Sequence, residues 1–119
     1  MRLSVVLDCA DPLALAPFWE AALGYHRVDA PEGYAALVPQ HGEPGPVLLL
    51  QRVPEPRTTK NRMHLDLHPE DPHAHVETLE LLGARRIGGW IDELVAEGVR
   101  WQVLADPEGN EFCVVEHVG

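Results

Sequence analysis

The sequence predicts an α+β protein made of two tandem βαβββ modules. Three observations lead there. The stretch Ser4-VVLDCA-Asp11-Pro12 aligns with His64-LDLHPE-Asp71-Pro72 sixty positions later. Each copy runs from an apolar-rich strand through Asp-Pro into a helical pattern that stops at glycine. Each helix is followed by three strand-like segments.

The first strand is the apolar run after Ser4. The helix after it, LALAPFWEAALG (13–24), has Asp11 as N-cap, Pro12 at the first helical position and Gly24 as its stop. An N-cap aspartate accepts from an orphan amide, proline there has no amide to leave unpaired, and glycine adopts the left-handed conformation without penalty. Trp19 follows the core pattern of this helix. Pro17 removes a backbone bond and costs about 3 kcal/mol inside a helix, so a kink or a late start is expected there. YHRVDA, GYAALVPQ and PVLLLQRV complete the first module, residues 1–53.

A linker follows over 54–61, within the proline-rich VPEPRTTKNR. The second module, 62–119, opens on the strand of HLDLHPEDP, where alternation sends Met63, Leu65 and Leu67 to the helix side and His64, Asp66 and His68 to the other. In the second helix, HAHVETLELLG (73–83), Val76, Leu79 and Leu82 form the core stripe. His73 and His75 read as first-turn surface residues. The strands are ARRIG, VRWQVLAD and NEFCVVEHV, with the Asp106-Pro107-Glu108-Gly109 signature of a type I turn joining the last two. GGWIDELVAEG (88–98) reads as a short helix with Trp90, Ile91, Leu94 and Val95 on one face.

The length of 119 residues corresponds to one domain with a core that needs no disulfide or structural metal. Nine Lys and Arg against 19 Asp and Glu give a net charge of -10, which disfavours nucleic acid and anionic membranes as partners. The N-terminus shows no signal peptide and no run approaching the roughly 20 apolar residues of a spanning helix, so a cytoplasmic protein is expected. Cys9 and Cys113 are too far apart for a zinc knuckle and read as small buried hydrophobes.

The paired modules, the strand-Asp-Pro-helix-Gly openings, and the runs LLLQRVPEP, KNRMHLDL and LADPEGNEFCV together resemble the vicinal oxygen chelate superfamily, in particular the small bacterial glyoxalase-like proteins of the glyoxalase/bleomycin resistance/dioxygenase family. The resemblance implies a cup-shaped mixed sheet, a homodimer, and a cup that holds a small molecule. It also implies one divalent metal, zinc, iron or manganese, or a cup that has lost it. The family's ligand positions fall on Ser4, His64 and Cys113, with the fourth near Leu48, Leu49 or Gln51. His64 is a good ligand, Cys113 suits zinc but not magnesium, and Gln51 requires a shifted register.

On the same resemblance His64, Asp66 and Glu111 are candidates for acid and base work, since His titrates near neutral pH. Ser4, Val6, His68 and Trp101 are candidates for the cavity wall. A strand-end salt link or solvated rim is the equal alternative for Asp66 and His68, and helix packing for Trp101. Lys60, Asn61 and Arg62 form a basic cluster that either attracts an anionic substrate or is a solvated linker. Trp90 is a candidate lid or interface residue. Three functions follow: a glyoxalase-like lyase, isomerase or dioxygenase acting on a small oxygen-rich molecule, a metal-free protein that sequesters a drug-like or aromatic compound, or a structural or regulatory domain with a vestigial cup.

Overall fold

The computed structural model describes residues 3–119 apart from 57, 60 and 62. It has two compact units, Met1–Pro56 and Arg57–Gly119. The basic cluster expected at Lys60, Asn61 and Arg62 lies outside the described residues at two of its three positions.

Unit one contains β1 (Ser4–Cys9), α1 (Pro12–Leu23), β2 (Tyr25–Val28), β3 (Tyr34–Pro39) and β4 (Val47–Arg52). The sheet order is β1-β4-β3-β2, with β1 parallel to β4 and the other pairs antiparallel. Asp11 Oδ1 accepts from the Ala14 amide at 3.3 Å and caps α1, and Gly24 ends it at φ 69°. The helix runs unbroken through Pro17 and does not start late. The amide missing at Pro17 would have reached the Leu13 carbonyl, and both residues lie on the exposed side, where water can satisfy that carbonyl. The other face buries Leu15, Phe18 and Trp19, and alternation buries Ala35, Leu37, Leu48 and Leu50 on the sheet. Phe18 and Trp19 meet edge to face at 5.3 Å.

Unit two repeats the plan with β5 (Asp66–Leu67), α2 (Pro72–Leu81), β6 (Arg85–Ile91), β7 (Val99–Ala105) and β8 (Glu111–His117). Its order, β5-β8-β7-β6, and its parallel β5–β8 pair match unit one. Asp71 caps α2 through the Ala74 amide at 3.1 Å. Gly83 follows the helix at φ 109°, and a Cβ there would stand 3.2 Å from Pro107 Cγ. Val76 and Leu79 are buried with Phe112, Val114 and Leu104, whereas Leu82 is 41% exposed because the helix ends before it. The turn between β7 and β8 is closed by the Gly109 amide on the Asp106 carbonyl at 2.8 Å. The buried Asp106 carboxylate accepts from the amides of Glu108 and Asn110 and from the Asn110 side chain.

Two expectations fail in this unit. Residues 88–91 extend β6, and only Val95–Glu97 makes a helical turn, of the 3₁₀ kind. The pairing of β6 with β7 is irregular between Ile87 and Ile91, and Gly88 takes φ 72°. There the buried Gln102 side chain donates to the Gly88 carbonyl at 3.0 Å, so a side chain supplies a bond in the irregular stretch. The strand expected around His64 is only two residues long, and Met63, assigned to the helix side, is 87% exposed. Pairing reaches back one more step through the Cys113 amide on the Leu65 carbonyl at 2.9 Å, but not to Met63.

Candidate functional site

The two faces of unit two have different fates. Leu67, Gln102, Leu104, Phe112 and Val114 are buried on the side of α2. Residues one step away in each strand line a pocket of about 390 Å³ on the opposite face. Its apolar wall is Leu94, Val99, Trp101 and Val115, and its polar edge is His64, Asp66, His68 and Cys113. Leu94 comes from the loop after β6, so the segment that fails to form a helix supplies part of the wall.

The polar edge is assembled by the parallel pairing of β5 with β8, which sets Asp66 beside Cys113. His64 Nε2 lies 3.0 Å from Asp66 Oδ1, and both side chains are half exposed. Cys113 is 7% exposed and forms the inner end of the group. One donor atom from each of His64, Asp66 and Cys113 falls within 4.8 Å of the others. Among the described residues this is the one set of three such side chains able to converge on a metal ion. Two ligands about 2.1 Å from a tetrahedral zinc stand roughly 3.4 Å apart, so small side-chain rotations would close the set on one ion. A nitrogen, an oxygen and a thiolate suit zinc or iron, and the thiolate argues against magnesium or manganese.

At the other end of the same face His68 Nδ1 lies 2.9 Å from Nε2 of His117, with the two rings stacked at 5.1 Å. On the α2 side a second group forms. The Glu116 carboxylate accepts from Arg100 Nε and, at 2.8 Å, from His73 Nε2. The hydrogen bond from Arg100 is the main cause that holds the Glu116 carboxyl below the usual range; burial opposes it, and the hydrogen bond from His73 adds a lesser lowering. The Trp90 ring lies 4.5 Å from that of His73 and 5.7 Å from the Arg100 guanidinium carbon. His73 is therefore tied across to β8, not merely a surface residue of the first helical turn. Trp90 thus packs beside His73 and Arg100 and is not among the residues that line the pocket.

The sequence profile of the glyoxalase-like domain matches residues 4–115. The chain belongs to the glyoxalase-like domain family. A glyoxalase/bleomycin resistance protein/dioxygenase family enzyme from Burkholderia phytofirmans superposes with TM-score 0.79 at 17% identity, covering 99% of this chain and 100% of that one. A glyoxalase family protein from Bacillus cereus gives 0.74 at 16% identity, covering 100% and 95%. TioX from Micromonospora gives 0.68 at 19% identity, covering 99% of each chain. At such identities these likenesses establish a shared fold. No curated protein matches the chain at a significant level.

In this glyoxalase-like chain the structure brings together five of the residues singled out from the sequence: His64, Asp66, His68, Trp101 and Cys113. Glu111 shares the face of β8 with Cys113 but stands outside the pocket lining. Ser4, Val6 and Gln51 belong to the sheet of unit one, where Ser4 and Val6 lie on β1 and Gln51 pairs with Asp8. Leu94 and Val99, which line the pocket, and His117, which meets His68 beside it, were not singled out for the site. For His117 the signal was present, since it is two steps of strand alternation beyond Cys113. No described helix is long and apolar enough to cross a membrane.

Proposed function

We propose that the unit-two pocket binds a small oxygen-bearing molecule beside a divalent metal held by His64, Asp66 and Cys113, so that the chain acts as a glyoxalase-like lyase, isomerase or dioxygenase. The convergence of those three donors on one edge of an otherwise apolar pocket carries this reading. When bound, a zinc or iron ion supplies Lewis-acid stabilisation of negative charge developing on a ligand oxygen. The remaining work belongs to the chain. The 3.0 Å contact between His64 and Asp66 already draws two of the three donors together. Leu94, Val99, Trp101 and Val115 displace water from the apolar part of the ligand, and His68 offers a hydrogen-bonding group at the edge.

The test is the metal content of untagged protein, with His64→Ala as control. Stoichiometric zinc or iron that the substitution removes is the expected result. Protein that holds no metal, and whose melting temperature no divalent ion raises, would overturn the reading. The apolar wall favours a second reading, a metal-free pocket that sequesters an aromatic compound on Trp101. In that case His64→Ala would bind aromatic ligands as well as the unaltered protein does. Both readings include a homodimer, which a monomeric mass by light scattering would refute.

A further inference from the structure

We infer that His68 and His117 form a second metal site, a two-imidazole chelate for a divalent transition ion such as nickel or copper, at the edge of the pocket. The observation is their spacing: Nδ1 of one ring and Nε2 of the other lie 2.9 Å apart. Neighbouring nitrogens about 2.0–2.1 Å from a square-planar or octahedral centre stand roughly 2.9 Å apart, which is the bite of a bidentate ligand. Without an ion, the same gap is bridged by one N–H donating to the other nitrogen. A hydrogen bond between two exposed side chains competes with water and is worth little.

The backbone holds both rings in place before any ion arrives. His68 precedes Pro69, whose ring confines the preceding residue to extended conformations. His117 ends β8 paired with Val99, and the next amide, Val118, donates to the Gly98 carbonyl at 2.8 Å. Part of the ordering cost of chelation is thus met by the fold. Binding needs no net loss of protons. In the donating ring the N–H moves to the outer nitrogen, where the accepting ring already carries its own, and a small turn of each ring brings the two lone pairs together on the ion. Both residues are exposed, so water completes the coordination shell. The net charge of -10 raises the local concentration of cations.

This site is separate from the one at His64, and the experiment keeps them apart by working in His64→Ala protein. Metal-stripped, untagged protein of that background is titrated calorimetrically with nickel chloride. One equivalent of nickel is expected to bind. Adding His68→Ala or His117→Gln should weaken binding at least tenfold, with circular dichroism unchanged because both side chains are exposed. In the same His64→Ala background, nickel should broaden the imidazole proton signals of His68 and His117 together. Nickel affinity that neither substitution alters, or that only one of them alters, would overturn the chelate.

Discussion

His64 Nε2 and Asp66 Oδ1 stand 3.0 Å apart on alternate residues of one extended segment, with both side chains half exposed. A contact so open to water contributes little to stability, about 0–1 kcal/mol. Its proposed role is to bring two metal donors together. Asp66→Asn should leave the melting temperature nearly unchanged and lower metal affinity at least about tenfold, since a neutral amide replaces an anionic oxygen ligand. Calorimetric metal titration beside a thermal melt checks both halves.

Trp19 and Trp101 separate stability from binding. Trp19 is 1% exposed under α1, and Trp19→Ala should cost about 3–5 kcal/mol in urea unfolding. Trp101 is half-buried in the pocket wall. Trp101→Ala should weaken an aromatic ligand about 10–100-fold, or about 1.4–2.7 kcal/mol, read by fluorescence or calorimetric titration.

Glu116 predicts the acid limb of the stability curve. Its carboxyl is held low in the folded state, chiefly by the hydrogen bond from Arg100, against an ordinary value of 4.5. The stabilisation is therefore complete above the unfolded value and lost as pH falls through the folded one. Glu116→Gln should melt below the unaltered protein at neutral pH, and the gap should narrow as pH drops below about 4.5. Melting temperatures measured from pH 7 to 3 test this, and a gap that widens on acidification would contradict it.

The Asp106 carboxylate holds the last turn together. It is 3% exposed and accepts from two amides and the Asn110 side chain. Asp106→Ala would leave those buried donors unpaired, which should cost about 2–4 kcal/mol. Asp106→Asn keeps an accepting oxygen and should recover part of the loss in urea titrations.

The repeat made much of this architecture readable, because caps, stops and alternation are local rules that the sequence states twice. Asp11 and Asp71, Gly24 and Gly83, and the six strands after the helices are all of this kind. Contacts across the sheet were harder to read. Helical spacing puts His73 on the outer side of α2 but gives no hint that Glu116, forty-three residues later, reaches it. The stretch 88–91 has apolar residues at spacings that fit a short helix, and the buried Gln102 side chain that meets it as a strand lies on another element. Within the site, His64, Asp66 and Cys113 could be named from alternation, while their convergence depends on the parallel register of β5 and β8.

That register also governs when the site can exist during synthesis. His64 and Asp66 are translated well before Cys113 and His117, and the neighbour of β5 in the sheet is the last strand of the unit to be made. A nascent chain that has emerged only as far as Asn110 carries the imidazole and the carboxylate but neither the thiol nor the second histidine of the pair. While β8 is still in the ribosomal tunnel, such a chain cannot hold a metal ion at either place or enclose a ligand. On the proposed assignments, loading would wait until the second unit has its full set of strands.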